Sequence, residues 1–215
     1  LAPQDLTASG LGLLTVTGIE NLTGTGFGDT LTGDSANNRL SGGLGSDVLQ
    51  GGAGNDVLDG GDGNDTADFS DAISSGLVVN LQTGSATGGG LGNDIRFGIE
   101  NATGSDYDDT LTGNAQDNIL NGGMGNDTLN GGDGADQIDG GDGNDTMDGG
   151  VGNDTLRGGD GSNTYLGGSG NDTFILGFSG GVQGLDGGSG SDTVDFSNAL
   201  SNVNVTLNGG IAGSV

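Results

Sequence analysis

The chain has 215 residues, 53 of them Gly, and its 30 acidic side chains against three basic ones give a formal net charge of −27 at pH 7. Such a charge repels phosphate and therefore excludes nucleic acid as a partner. The chain contains no Cys and no His, which excludes disulfide bonds and metal sites built from thiolate or imidazole. Nearly all the acid is Asp, and Asp beside Gly indicates carboxylates placed in tight turns, where they bind cations.

The first predicted unit, residues 1–71, is a lead-in followed by nine-residue repeats. Its N-terminus lacks the basic region of a signal peptide and also lacks an initiator Met, so we expect a fragment of a longer chain. Three full repeats, GGLGSDVLQ, GGAGNDVLD and GGDGNDTAD, begin at Gly42, and two imperfect copies in the same phase begin at Gly24 and Gly33. A fixed short period predicts a solenoid, in which a Gly-rich composition no longer means disorder.

Residues 72–103 are predicted to be a strand connector that continues the solenoid, and residues 104–215 to be a second repeat block with exit strands. Residues 98–113 repeat residues 18–33 with 11 of 16 positions identical. The larger unit is therefore duplicated along the chain.

The second block contains more repeats than the first. Imperfect copies begin at Gly104 and Gly113, and six consecutive full copies begin at Gly122. A last copy begins at Gly187, after an insertion at 176–186 that we expect to break the phase of the repeats.

Each repeat reads as a turn followed by a short strand. Gly at positions 1, 2 and 4 accepts positive φ and close backbone approach, which predicts a turn over the first six residues. Position 7 is mostly Thr or Val and position 8 is apolar in almost every copy, which predicts a three-residue strand with one inward side chain. The predicted fold is all-β: a right-handed parallel β-roll (β-solenoid) with two nonapeptide repeats per coil.

The core of such a roll is too thin to hold it together. Burying one position-8 side chain contributes about 1.5–3 kcal/mol, whereas ordering nine residues costs roughly 1–2 kcal/mol for each residue. Stacking also brings the Asp residues at position 6 into columns, where their like charges repel. A hard divalent cation converts that repulsion into binding, and Ca²⁺ fits an all-protein oxygen cage better than Mg²⁺, which keeps its waters.

The motif GGxGxDxUx resembles the RTX, or hemolysin-type, calcium-binding nonapeptide repeat, over about two thirds of the chain. The resemblance implies that each ion lies between two turns eighteen residues apart. Positions 2, 4 and 6 of the earlier turn and positions 1, 3 and 6 of the later turn are the implied ligands. In the first block these are Gly43, Gly45 and Asp47 with Gly60, Asp62 and Asp65, and Asp56 is a further implied ligand.

In the second block the resemblance implies four pairs of full turns. The ligands are Gly123, Gly125 and Asp127 with Gly140, Asp142 and Asp145; Gly132, Gly134 and Asp136 with Gly149, Val151 and Asp154; Gly141, Gly143 and Asp145 with Gly158, Asp160 and Asn163; and Gly150, Gly152 and Asp154 with Gly167, Ser169 and Asp172. Asn163 keeps an oxygen but loses a charge, so its site is expected to bind more weakly. The imperfect copies contribute Asp29 and Asp109, and about five to nine Ca²⁺ are expected in all.

Together with this resemblance, the sequence indicates a calcium-binding module, not an enzyme, that folds on Ca²⁺ binding outside the cell or at its surface. It would be part of a larger secreted bacterial protein exported by type I secretion. The alternatives are a structural or assembly segment of a surface-layer protein or adhesin, and an accessory module of a secreted enzyme or toxin. Calcium ions are the expected partners, with neighbouring domains or copies in a larger array; polysaccharide binding has no support in the sequence.

Overall fold

The computed structural model describes residues 18–176, 181 and 183–198, and these residues form twenty strands. They include no helix that could span a membrane. In chain order the strands are β1 (Asn21–Thr23), β2 (Thr30–Thr32), β3 (Arg39–Leu44), β4 (Val48–Gln50), β5 (Val57–Asp62), β6 (Thr66–Asp68), β7 (Leu77–Asn80), β8 (Ser85–Gly88), β9 (Gly92–Phe97), β10 (Asn101–Thr103), β11 (Thr110–Thr112), β12 (Ile119–Met124), β13 (Thr128–Asp133), β14 (Gln137–Asp142), β15 (Thr146–Val151), β16 (Thr155–Arg157), β17 (Thr164–Ser169), β18 (Thr173–Ile175), β19 (Gly184–Asp186) and β20 (Thr193–Asp195).

The strands form two sheets. Sheet A has 11 strands in the order β1-β3-β5-β9-β8-β7-β11-β13-β15-β17-β19, and sheet B has nine in the order β2-β4-β6-β10-β12-β14-β16-β18-β20. Regular strands alternate between the sheets and pair in parallel with the strand eighteen residues further on, as in Leu129 opposite Met147 and Ile138 opposite Leu156. Two nonapeptides therefore complete one coil, and the predicted parallel β-roll is confirmed.

The core lies between the two sheets and consists mainly of the position-8 side chains. In the second block these residues are almost completely buried: Leu111, Leu120, Leu129, Ile138, Met147, Leu156, Tyr165 and Phe174. The rings of Tyr165 and Phe174 meet edge to face, with centroids 6.0 Å apart. Each of these repeats thus supplies one inward side chain, as its sequence predicts, whereas Val194 in the last copy is exposed.

The turns lie along the two edges where the chain crosses between the sheets. Coils approach so closely there that a Cβ on Gly152, whose φ is 148°, would overlap the carbonyl oxygen of Gly134 one coil earlier. Position 4 therefore requires Gly both for its φ and for the space.

The two repeat blocks meet at an irregular junction. Sheet B crosses it directly, because β6 pairs in parallel with β10. In sheet A three strands fill the same interval: β9 pairs in parallel with β5, β8 is antiparallel to both of its neighbours, and β7 pairs in parallel with β11. The solenoid therefore continues through this segment, with an antiparallel meander, β7-β8-β9, built into one sheet.

The insertion at 176–186 leaves the phase of the roll intact, and the expectation that it breaks the phase is wrong. Thr164 pairs with Gly184 in sheet A, and Thr173 pairs with Thr193 in sheet B. Both spacings are twenty residues, so one coil contains two additional residues while the strands remain aligned.

Candidate metal centre

The Asp residues at position 6 form hydrogen-bonded ladders along both edges of the roll. Each precedes a strand, and its Oδ1 accepts the backbone N–H of the position-6 residue one coil earlier. The Asp136 N–H donates to Asp154 Oδ1 at 2.9 Å, and the Asp154 N–H donates to Asp172 Oδ1 at 2.9 Å. One oxygen of each carboxylate is thus used to hold two coils together.

The other oxygen has no partner. In the part of the chain that the structure describes, Oδ2 is buried without a hydrogen bond in eight of these residues: Asp47, Asp56, Asp65, Asp127, Asp136, Asp145, Asp154 and Asp172. Buried carboxylate oxygens are normally paired, because an unpaired buried charge is costly. A repeated set of such atoms indicates a cation-binding site in each of these turns.

A backbone carbonyl converges on the same place as each Oδ2. A Cβ on Gly149 would overlap Asp154 Oδ2 and would lie 2.8 Å from the carbonyl oxygen of Gly167, which opens the turn one coil later. A Cβ on Gly131 would likewise overlap Asp136 Oδ2 and lie 2.7 Å from Gly149 O. Position 1 is therefore Gly because two oxygens face its α-carbon, and these oxygens are suitable ligands for a hard cation.

The structure brings together the turns that the sequence paired. Gly132 stands opposite Gly150, and Gly150 opposite Gly168. The Val151 carbonyl accepts the Gly134 N–H at 2.8 Å, which leaves its second lone pair available. Among the described residues no three acidic side chains are close enough to hold a metal ion by themselves. Most ligands at each turn would have to be carbonyl oxygens, and the individual ligand sets stay predictions.

Burial in these turns disfavours the ionised carboxylates when no cation is present. Burial, with smaller contributions from the charges of Asp109 and Asp145, raises the pKa of Asp127 to about 7. Burial also raises the pKa of Asp136 to about 6, with a smaller contribution from the charge of Asp154. The pKa values of Asp47, Asp56, Asp65, Asp145 and Asp154 are raised for the same main reason. A bound cation would reverse this effect.

The imperfect turns, which begin at Gly24, Gly33, Gly104 and Gly113, satisfy their position-6 side chains internally. The Ser105 N–H donates to Asp109 Oδ2 at 2.6 Å, and the Thr25 N–H donates to Asp29 Oδ2 at 2.5 Å. In full turns position 2 is Gly with positive φ, and Oδ2 accepts no bond. Asp29 and Asp109 therefore have a protein donor where the full turns have an unpaired oxygen, and their role as calcium ligands stays a prediction.

Asn163 differs from its Asp counterparts in more than charge. Its Oδ1 accepts the Asp145 N–H at 2.8 Å, so the ladder fixes the oxygen on that side. Its Nδ2 is buried without a partner where the other turns have Oδ2. An amide donor repels a cation, and this supports the expectation of a weaker site.

Two sets of functional residues were missed from the sequence. Position 5 forms a second ladder in the opposite direction: Asn126 Oδ1 accepts the Asn144 N–H at 3.0 Å, one coil later. Where the turn departs from the nine-residue repeat, a longer side chain replaces Asp in the position-6 ladder: Glu100 accepts the Asp65 N–H, and Gln183 accepts the Asn163 N–H. The recurrence of Asn at position 5 was a visible signal, whereas the two long side chains lie outside the repeats and gave none.

The family comparison agrees with this geometry. The family model of the RTX calcium-binding nonapeptide repeat matches residues 15–49, 32–67, 103–138, 124–156 and 139–174, which is more than half of the 215 residues. No curated protein matches the chain. The stacked turns, their unpaired carboxylate oxygens and this match agree: the chain is a calcium-binding β-roll module and belongs to the family of RTX calcium-binding nonapeptide-repeat proteins.

Proposed function

We propose that this module stays unfolded where calcium is scarce and folds on Ca²⁺ binding outside the cell, as part of a larger secreted bacterial protein. The observation that supports the proposal is the set of eight buried Oδ2 atoms without a partner among the described residues. Each unpaired buried charge costs on the order of a few kcal/mol. One inward side chain per repeat does not offset both this cost and the ordering of nine residues.

Calcium at extracellular concentration can supply the difference. With a Kd of about 0.1 mM, typical of extracellular modules, about 1 mM Ca²⁺ stabilises the folded state by roughly 1.4 kcal/mol per site. Neighbouring turns share ladder residues such as Asp145 and Asp154, so binding at one turn orders the next. At the much lower free calcium inside a cell the chain remains extended, which suits export through a narrow channel.

The test is circular dichroism with sedimentation velocity on the calcium-free chain. Millimolar Ca²⁺ should produce strand signal and a compact particle in a cooperative transition, EDTA should reverse it, and equal Mg²⁺ should do much less. A strand signal that is unchanged by EDTA would show that the thin core suffices, and the proposal would be wrong.

We further propose that the module has no catalytic activity of its own. The chain has no His, no Cys and no Lys, so the usual general bases and nucleophiles are few.

A second candidate role is a structural or assembly segment of a surface protein. It is favoured by sheet B, which continues through the junction between the duplicated units without interruption. A segment with this structural role should be one stiff body in calcium. Small-angle scattering that instead required two independently moving bodies would count against this role.

A further inference from the structure

A complete nonapeptide lies inside the connector. Residues 89–97 read GGLGNDIRF, which has Gly at positions 1, 2 and 4 and Asp94 at position 6. It falls outside the segments that match the family model. Its position 8 is Arg96 where the other copies are apolar, and it stands alone in the sequence, 38 residues after the turn that begins at Gly51.

The structure stacks positions 4 to 6 of this isolated turn on the Gly51 turn as in the regular turns. The Asp56 N–H donates to Asp94 Oδ1 at 2.9 Å, which continues the position-6 ladder. The Gly54 N–H donates to the Leu91 carbonyl at 2.8 Å, and the Asn93 N–H donates to Asn55 Oδ1 at 3.0 Å. The bonds that positions 4, 5 and 6 form in a regular pair of turns are therefore present, across 38 residues, whereas the Leu91 N–H donates to the Gly88 carbonyl at 3.0 Å and not to Gly52.

One carboxylate oxygen of this pair is also buried and unpaired. Asp56 is 1% exposed and Asp94 4% exposed, and Asp56 Oδ2 has no hydrogen-bond partner. The pair departs from the regular turns at positions 1 to 3, because Gly89 has a φ of 64° and a Cβ on Gly90 would meet Ser74 and not the Gly52 carbonyl. On that side a cavity of about 310 Å³ is lined by Gly52, Gly90, Leu91 and Asp71, among others.

Asp71 supplies the charge of this cavity. It lies in the exit segment after β6 and belongs to no repeat, yet its Oδ1 is buried without a hydrogen-bond partner. Three segments that are separate in sequence thus place negative charge beside one pair of turns, around Asp56, Asp71 and Asp94. In the described part of the chain no ion pair involves Asp56, Asp71 or Asp94. Arg96 interacts with Asp94 only at longer range, because it turns into the core and stacks at 5.4 Å on the ring of Phe69.

We propose that the turns at Gly51 and Gly89 form an additional divalent-cation site, with the Gly52, Gly54 and Leu91 carbonyls and the Asp56 and Asp94 carboxylates as ligands and Asp71 as a nearby charge. This site rests on the proposed function, since it assumes that the regular turns bind calcium. It extends that function because the ion would close a 38-residue loop and fix β9 to β5. Calcium at this site therefore controls whether the meander joins the two blocks.

The first experiment counts bound Ca²⁺ by native mass spectrometry in the wild-type chain, Asp94→Asn and Asp148→Asn. Asp148 lies on strand β15, away from the junction, and its variant removes the same charge. Asn keeps an oxygen for the ladder bond with Asp56. We expect Asp94→Asn to bind one ion fewer than the wild type, and Asp148→Asn to bind the same number. An unchanged count in Asp94→Asn would overturn the inference, whereas a wild-type chain that binds no calcium would overturn the proposed function itself.

The second experiment does not depend on the folding of Asp94→Asn. The chain has no Trp, so Ile95→Trp, at a side chain that is 52% exposed, places a single antenna beside the site. With Tb³⁺ as the probe, Trp-sensitised emission should appear, Ca²⁺ should compete it away, and Asp71→Asn should weaken the Tb³⁺ affinity by roughly threefold or more. No sensitised emission, or an affinity unaffected by Asp71→Asn, would show that no ion occupies this place.

Discussion

The substitution Asp136→Asn should have opposite effects with and without calcium. Asp136 Oδ1 accepts the Asn118 N–H at 2.8 Å, and Oδ2 is buried without a partner. Asn keeps an oxygen for the ladder bond and replaces the unpaired charged oxygen by a neutral group. Relief of that charge should stabilise the metal-free roll by about 1–3 kcal/mol. In calcium, loss of a ligand and a charge should weaken the site about tenfold or more, which is roughly 1.4 kcal/mol.

Both effects can be measured by circular dichroism. Trimethylamine N-oxide favours compact states, so the metal-free chain is folded by titrating this osmolyte, and the calcium-dependent transition is measured without it. Asp136→Asn should lower the osmolyte midpoint and raise the calcium midpoint. Asp160→Asn is the matched control, because it removes the same charge from an exposed side chain at position 3, where the expected ligand is the backbone carbonyl. If Asp136→Asn shifts both transitions toward the unfolded state, the side chain stabilises the turn by hydrogen bonding alone and the argument from the unpaired oxygen is wrong.

Three further outcomes are expected. Because the pKa of Asp127 is raised to about 7 from 3.8, the metal-free roll should lose stability as pH rises between these values. Calcium must displace the proton, so it should bind more weakly at about pH 6 than at about pH 8, and calcium titration at both pH values checks this. Gly149→Ala should remove one ion from the count in native mass spectrometry, since its Cβ would overlap Asp154 Oδ2, while Gly184→Ala, with no atom nearer than 4.0 Å, should leave the count unchanged. Arg96→Ala should lower the free energy of unfolding, measured in urea with calcium present, by about 2–4 kcal/mol. Arg39→Ala should lower it by less than about 1 kcal/mol, because the ion pair of Arg39 with Asp59 is solvent-exposed. Equal losses would contradict the role of Arg96 in the core.

The fold could be predicted from the sequence because one short pattern determines both the turn and the strand. Gly at positions 1, 2 and 4 and an apolar position 8 recur at one period, and the structure places Leu129, Met147 and Tyr165 in register as that period requires. The Asp columns followed from the same stacking. Features that lie outside the nine-residue repeat could not be predicted in this way.

Three misses have physical reasons. The insertion at 176–186 keeps the register because its additional residues fit within one coil, and a phase argument from sequence cannot see this. The turn at 89–97 was overlooked because Arg96 replaces an apolar residue and because its partner is 38 residues away. The internal satisfaction of Asp109 depends on the backbone angle of Ser105, and sequence shows the loss of Gly there but not where the N–H then points.

The junction also bears on the shape of the molecule. Sheet A contains 11 strands and sheet B nine, and both additional strands belong to the meander. At about 4.8 Å per strand they lengthen one face by roughly 10 Å, which is about the distance between two packed sheets. Two faces of unequal length cannot both be straight, so the sheets part or the axis curves here. A cavity of about 210 Å³, lined in part by Leu81, Arg96 and Ile99, lies at this place. The junction therefore interrupts the even stacking of the two sheets, and removing β7 and β8 should give both sheets the same number of strands.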